Sequence, residues 1–297
     1  MPVRRGVKGA SGLRGALLKY LDAKNQKDVI TFVIFTFNEE KRVERVIENF
    51  IKSGRVLIVD NESTDQTLEI ARRHGCDILT NRNAGWVEDE ATAARVREHV
   101  QTPWIYWGFA DEMVDRGTLE IILRKVHEDK YDIINIARKN YYYGQFCRDV
   151  GVDRMNRIFR KDAIDFAGNK LHGFGRPASG SRILKLPRGY FVHHFISNTS
   201  KSYLSVMDRY SDMESAESRL PPSSLRLLSS TLKLVVLNLV VRRGYLARAP
   251  GLFLMCNLAY YRWLSAMKAY EHKHRLDREN IEKKNDDVRD LILESFE

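Results

Sequence analysis

Acidic residues vanish from one long stretch of this chain: from Ser218 to Tyr270 there are eight Lys or Arg and no Asp or Glu. That one-sided segment carries most of the formal charge of +10. A basic, apolar segment points to an acidic surface such as anionic lipid headgroups. Charge is also all that supports a nucleic-acid partner; without a helix-turn-helix or aromatic-basic RNA motif, none is expected. Cysteine is scarce: Cys76, Cys147 and Cys256 are odd in number and widely spaced. They give no disulfide framework and no zinc spacing, which fits a reducing compartment. Long hydrophobic runs are missing too. The longest, Leu234–Val241, is interrupted by Asn238 and falls well short of the roughly 20 residues needed to cross a bilayer. Met1 to Lys27 is basic but lacks the apolar core of a signal peptide. The expected location is cytoplasmic, peripheral at the inner face of the plasma membrane.

What is present reads as a globular α/β protein, with 43% hydrophobic and 30% charged residues over 297 positions. Residues 1–28 form a basic lead-in. Val29–Phe37 is β-branched and aromatic without helical period, as in a buried strand. Val43, Val46, Ile47, Phe50 and Ile51 then recur at helical spacing, with Gly54 as a C-terminal stop. Arg55–Asp60 is a second strand, and a helix begins near Leu68. Cys76–Thr80, a helix over Glu88–Val100, and Trp104–Phe109 continue the alternation; Ala110-Asp111-Glu112 is a turn. A helix around Leu119–Val126 and a strand at Tyr131–Ala137 follow. This rhythm predicts right-handed crossovers and a mainly parallel sheet.

Residues 139–195 show no clear period and read as an irregular substrate-side region. From Ser200 the pattern is helical. Tyr203, Val206, Met207 and Tyr210 mark one helix, and Leu225–Val241 and Leu252–Tyr270 mark two more. The domain reading is 29–199 for the α/β domain, 200–270 for a helical region and 271–297 for a charged, solvated or partly disordered tail. The two apolar helices fit a helical subdomain or dimer interface. Their exclusively basic charge favours the membrane interface.

The motifs carry a resemblance. The first strand ends F-T-F-N-E-E, the second V-D-N-E-S-T-D-Q-T and the fourth G-F-A-D-E. In this order they resemble the family 2 glycosyltransferases of the A-type nucleotide-sugar fold, whose central sheet is Rossmann-like. N-Y-Y-Y-G-Q-F, D-R-M-N-R-I-F-R-K, V-H-H-F and the stretch R-R-G-Y-L-A-R-A-P-G-L are similar to the lipopolysaccharide-core β-glucosyltransferase group, including its membrane-proximal tail. The likeness runs over roughly residues 29–270.

The resemblance implies inverting transfer of a sugar from a nucleotide-sugar donor to a glycan or glycolipid acceptor, with Mn²⁺ or Mg²⁺. Phe37, Asn38, Glu39, Asp60 and Asp111 would meet the nucleotide. Asp111 would be the metal ligand, helped by Glu112, and His194 would complete the metal shell. Asp153 is the first candidate for general base and His172 the second; Arg154 or Arg157 would meet phosphate or acceptor groups. Two departures stand out. Phe109 occupies the first position of the expected Asp-x-Asp pair, and Gly173 follows His172 where a Glu is usual. They favour an alternative reading, a related protein that binds nucleotide or glycan without transfer. Structural roles compete at other positions. Glu39 and the acids Glu88-Asp89-Glu90 suit helix N-termini, and Ser63 with Gln66 fits a capping box.

Overall fold

The computed structural model describes residues 27–82, 89–148, 150, 152–169, 174–215 and 224–296. The strands are β1 (Ile30–Thr36), β2 (Arg55–Asp60), β3 (Asp77–Thr80), β4 (Trp104–Phe109), β5 (Glu112–Val114) and β6 (Ile133–Tyr142). They continue with β7 (Gln145–Phe146), β8 (Arg154–Arg160), β9 (Ile164–Asp165), β10 (Arg176–Pro177), β11 (Ile183–Lys185) and β12 (Phe191–Ile196). The helices are α1 (Val43–Phe50), α2 (Thr67–Arg73), α3 (Glu90–His99), α4 (Arg116–Glu128) and α5 (Ser200–Ser215), then α6 (Ser224–Val236), α7 (Arg248–His274) and α8 (Arg278–Glu294). They fall into two compact units, Met1–Lys139 with Val152–Phe195, and Asn140–Gly151 with Ile196–Glu297.

In the first unit, β3, β2, β1 and β4 are parallel neighbours. The register sets Thr36 opposite Asp60 and Phe35 opposite Phe109, so the carboxyl ends of β2, β1 and β4 finish level. The parallel expectation holds for this half of the sheet. Beyond β4 the order runs β8, β6, β12, β5, with antiparallel pairing of β4 to β8, β8 to β6, and β5 to β12. The stretch expected to be irregular therefore supplies strands, and D-R-M-N-R-I-F-R-K is mostly β8. Glu112 opens β5 instead of closing a turn.

β1 is buried on both faces, as its run of β-branched and aromatic residues without polar alternation requires. Phe32 and Ile34 pack with α1 through Val43, Val46, Ile47 and Phe50, and the Phe32 and Phe50 rings stack at 4.5 Å. Val33 packs on the other side with Leu57, Val59, Ile105 and Trp107. Fully burying each such side chain contributes roughly 1.5–3 kcal/mol. Gly54 does not stop α1 by a left-handed turn. A Cβ there would lie 2.6 Å from the Ile30 carbonyl oxygen, so the chain needs glycine to pass close to β1. Asp89 caps α3 and Asp115 caps α4, each accepting from a backbone N–H three residues on.

The second unit contains the β6–β7 hairpin, whose two turn residues Tyr143 and Gly144 both have positive φ (49° and 70°). Its core joins Tyr142, Cys147 and Val150 to Tyr203, Ala247, Leu254 and Met255. α5 and α7 are clamped by Lys268, which donates to Asp208 and Asp212 at 2.6 and 2.5 Å. α6 runs on through a π turn, Leu237–Val241. The charged tail is helical over α8, and none of that helix is buried.

Candidate active site

Two loops at the carboxyl ends of β1 and β2 are laced together by reciprocal bonds. The Asn38 amide donates to Ser63 Oγ (2.8 Å), while Asn38 Oδ1 accepts from the Thr64 amide (2.8 Å). Glu39 N–H donates to Thr67 Oγ1 (2.7 Å). Glu40 N–H donates to Asp65 Oδ2 (3.0 Å), and the Glu40 carboxylate accepts from the Gln66 amide (3.2 Å). Asn38 and Glu62 hold left-handed conformations with φ of 53° and 60°, a strain that surrounding bonds must sustain.

Asp60 sits beneath this lacing and is fully buried. Oδ1 accepts from Thr36 Oγ1 (2.8 Å) and Ser63 Oγ (2.6 Å), and Oδ2 accepts from the Ser63 amide (2.8 Å). An ionised carboxylate has about four acceptor directions, so these three bonds leave one on Oδ2. The expected Ser63–Gln66 capping box is not formed: no side chain caps α2 at its N-cap Gln66, and Asp65 accepts from Thr67 N–H and Oγ1. Ser63 instead ties Asp60 to Asn38.

Asp111 lies in the turn after β4. The pairing of β5 with β12 sets His194 opposite Glu112, and His194 Nε2 stands 3.3 Å from an Asp111 carboxylate oxygen. Burial acts to raise the Asp111 carboxyl, but the His194 hydrogen bond and the positive charges of His194, Arg42 and Arg138 together bring it below its ordinary value. Glu39 does not cap α1 with its side chain; its carboxylate forks the Arg42 guanidinium with two bonds of 2.6 Å. Burial raises the Glu39 carboxyl, Arg42 opposes that, and the charges of Asp111 and Asp65 add to the rise. Phe37 is half-buried on the same loop.

Glu112 has a different fate from its neighbour. It and Arg157 are each only 1% exposed and form an ion pair, with Arg138 3.7 Å from the same carboxylate oxygen. Arg157 also donates to the Trp107 carbonyl (2.8 Å), and its guanidinium lies over the rings of Phe109 and Phe174 at 5.2 and 4.4 Å. Arg154 donates to Asn135 and to the Leu186 carbonyl. These bonds tie both arginines expected to meet phosphate or acceptor groups into the sheet. Arg138 is the cation that sequence reading missed. It grips Asp153 with bonds of 3.1 and 2.8 Å, and only the β6–β8 pairing of Ala137 with Arg154 brings the two together. Arg42 was missed as well, although its place three residues after Glu39 is a helical ion-pair spacing.

The expected metal set of Asp111, Glu112 and His194 is not assembled. Among the described residues no three His, Cys, Asp or Glu side chains converge as a metal would require, because Glu112 is turned inward and neutralised by Arg157. Asp111 with His194 remains as a two-donor pair. That fits a divalent ion that takes the rest of its ligands from diphosphate oxygens and water. His172 and Gly173 lie outside the described residues.

The description "Glycosyl transferase family 2" matches residues 31–182. The chain belongs to that family. Among curated relatives of this family 2 member, a glycosyltransferase of Rickettsia typhi without assigned activity is 33% identical over 148 residues, 48% of this chain and 49% of its own. One of Mycobacterium bovis is 36% identical over 92 residues, 31% of this chain and 41% of its own. The chain thus spans about half the length, or less, of these relatives. Among solved structures, a mannosyltransferase of Pyrobaculum calidifontis in complex with GDP-Man and Mn²⁺ aligns over 90% of this chain and 97% of its own, at 14% identity and a TM-score of 0.47.

Proposed function

We propose that this family 2 member transfers a sugar, with inversion, from a nucleotide-sugar donor to a glycan or glycolipid acceptor of cell-envelope type. The observation that carries the reading is the placement of Asp60 as the last residue of β2 and of Asp111 just past the end of β4, the two parallel strands on either side of β1. Ligands of open α/β sheets bind in that crevice.

In this reading the free acceptor direction of Asp60 takes a donor hydroxyl or base N–H, and Phe37, Asn38 and Glu39 line the same end. Arg42 and Arg138 flank Asp111 with positive charge that offsets a diphosphate. Asp111 and His194 would hold a divalent ion, Mn²⁺ or Mg²⁺, which when bound would supply further positive charge against the departing nucleotide. Asp153, oriented by the Arg138 fork, removes the proton from the acceptor hydroxyl. The acceptor oxygen then bonds the anomeric carbon as the carbon–oxygen bond to the diphosphate breaks on the opposite face. His172 is the second candidate for that base. We place the work at an anionic membrane surface on the cytoplasmic side. The acid-free segment and three unpaired thiols support that location.

The test is a thermal-shift and turnover screen of UDP-, GDP-, ADP- and dTDP-sugars with and without Mn²⁺. A ligand specific to the native state raises apparent stability by mass action. At least one donor is expected to raise Tm and to be turned over. Absence of both effects across the set overturns the reading. Binding without turnover supports the second reading, for which Phe109 is the motivating observation: its ring is committed to Arg157 and Phe174 and supplies no acceptor for a ligand.

A further inference from the structure

α6 and the π turn after it present an apolar stripe to solvent, broken only by the small side chain of Ser229. Leu225, Leu228, Leu232, Val236 and Val240 recur at intervals of three and four residues and are 75, 56, 61, 46 and 58% exposed. No residue of α6 is buried. Asn238, which breaks the apolar run in sequence, does not break the stripe. It is 3% exposed, donates to the Leu234 carbonyl at 2.9 Å and accepts from Arg242 at 3.1 Å. A stripe this long and exposed is an interaction surface and not a lone surface leucine.

Charge selects the occupant. Arg226 and Lys233 are exposed on α6, seven residues apart. At about 100° per residue they share one flank of the helix, beside the stripe. Arg242, Arg243 and Arg248 follow, with Tyr245, Leu246, Leu252 and Phe253 exposed around them. No acid intervenes from Ser218 to Tyr270. Aliphatic groups backed only by cations match acyl chains beneath anionic phosphates.

Ser224–Val241 is 18 residues of mean hydropathy 1.6, long and apolar enough by length and composition to cross a membrane. Lys233 opposes a crossing, since it would then stand near the bilayer midplane, where a charge is costly. Lying flat, the same lysine reaches the headgroups along its own stem.

We propose that Ser224–Val241 lies in the plane of an anionic lipid surface, its Leu225-to-Val240 stripe among the acyl chains and Arg226, Lys233, Arg242, Arg243 and Arg248 on lipid phosphates. This deepens, and rests on, the reading that the chain works at such a surface.

The experiment is flotation of the full chain with vesicles of phosphatidylcholine alone or with 30% phosphatidylglycerol, followed by alkaline carbonate extraction. The wild type floats with the anionic vesicles and is released by carbonate. L228E/L232E lowers partitioning at least tenfold. R242Q/R243Q lowers it by about fivefold for each arginine that engages the surface. Because the stripe residues are exposed, L228E/L232E keeps the wild-type far-UV spectrum and Tm, and Leu228→Ser/Leu232→Ser replaces it should it not; Arg242 bonds Asn238, so R243Q/R248Q, at two exposed positions, replaces the second variant should its Tm fall. Undiminished flotation of the stripe variants overturns this proposal while leaving the membrane location intact. Resistance of the wild type to carbonate shows a crossing helix and overturns it too. No flotation with either vesicle overturns both this proposal and the membrane location.

Discussion

His194 Nε2 stands 3.3 Å from the Asp111 carboxylate, held there by the strand that also pairs His194 with Glu112. Two consecutive acids thereby receive different partners: Asp111 faces His194, and Glu112 is buried in an ion pair with Arg157. Asp111→Asn is expected to lower sugar transfer by roughly 10²-fold or more, as loss of a preorganised electrostatic group does. Nucleotide binding without metal should persist. Steady-state turnover and calorimetry with UDP, GDP, ADP and dTDP check both halves.

Glu112→Gln probes the buried pair. Removing one partner leaves the other charge uncompensated and costs about 3–5 kcal/mol. The double change Glu112→Leu/Arg157→Met should recover much of that. Urea denaturation measures it. A Glu112→Gln variant of wild-type stability that has lost Mn²⁺ affinity would restore Glu112 as a metal ligand.

Asp60→Asn separates architecture from binding. An amide oxygen accepts less and its NH₂ confronts the Thr36 and Ser63 donors, so about 1–3 kcal/mol is expected to be lost from stability. Thr36→Val removes one bond to the same carboxylate and should destabilise by roughly 1 kcal/mol while donor affinity stays within a few-fold. Equal loss of donor affinity in both variants would make Asp60 a scaffold residue only.

Acid stability offers another check. Bonds from Arg182, aided by the Arg160 charge, hold the Asp132 carboxyl down to about 2. A carboxyl depressed in the native state stabilises the fold above its unfolded pKa near 4, and that contribution fades as pH falls from about 4 toward 2. Stability should therefore drop with falling pH in that window, and Asp132→Asn should reduce the slope. Denaturant midpoints at pH 5, 4, 3 and 2.5 test the sign.

Gly54→Ala drives a methyl group against the Ile30 carbonyl and the Phe32 ring. Overpacking of this kind destabilises by about 1–3 kcal/mol. A thermal melt decides it.

Much of the fold was legible because local pattern and burial agree in its parallel half. β2 and β4 have the boundaries their apolar runs predict, and α1 buries four of the five residues its period marks, the fifth, Ile51, being its C-cap. β8 was not legible. Its sequence R-M-N-R-I-F-R does not alternate, since Arg157 points into the core and is tolerated only because Glu112, 45 residues earlier, meets it there. The site followed the same division. Asp60 and Asp111 stand at strand ends that periodicity locates. The Arg138–Asp153 fork and the Asp111–His194 pair depend on strand order, which no single stretch encodes.

The laced loops after β1 and β2 carry one more consequence. Five bonds join residues 25 to 28 positions apart, and every one uses a backbone amide of one loop. Neither loop can open without releasing the other, so this end of the crevice is shaped before any ligand arrives and little ordering entropy remains to be lost there. Amides of Asn38, Glu39 and Thr64 should exchange with solvent deuterium only as slowly as the sheet itself opens, with or without nucleotide. On the proposed function, discrimination among donors then falls to parts of the crevice that are less firmly stitched.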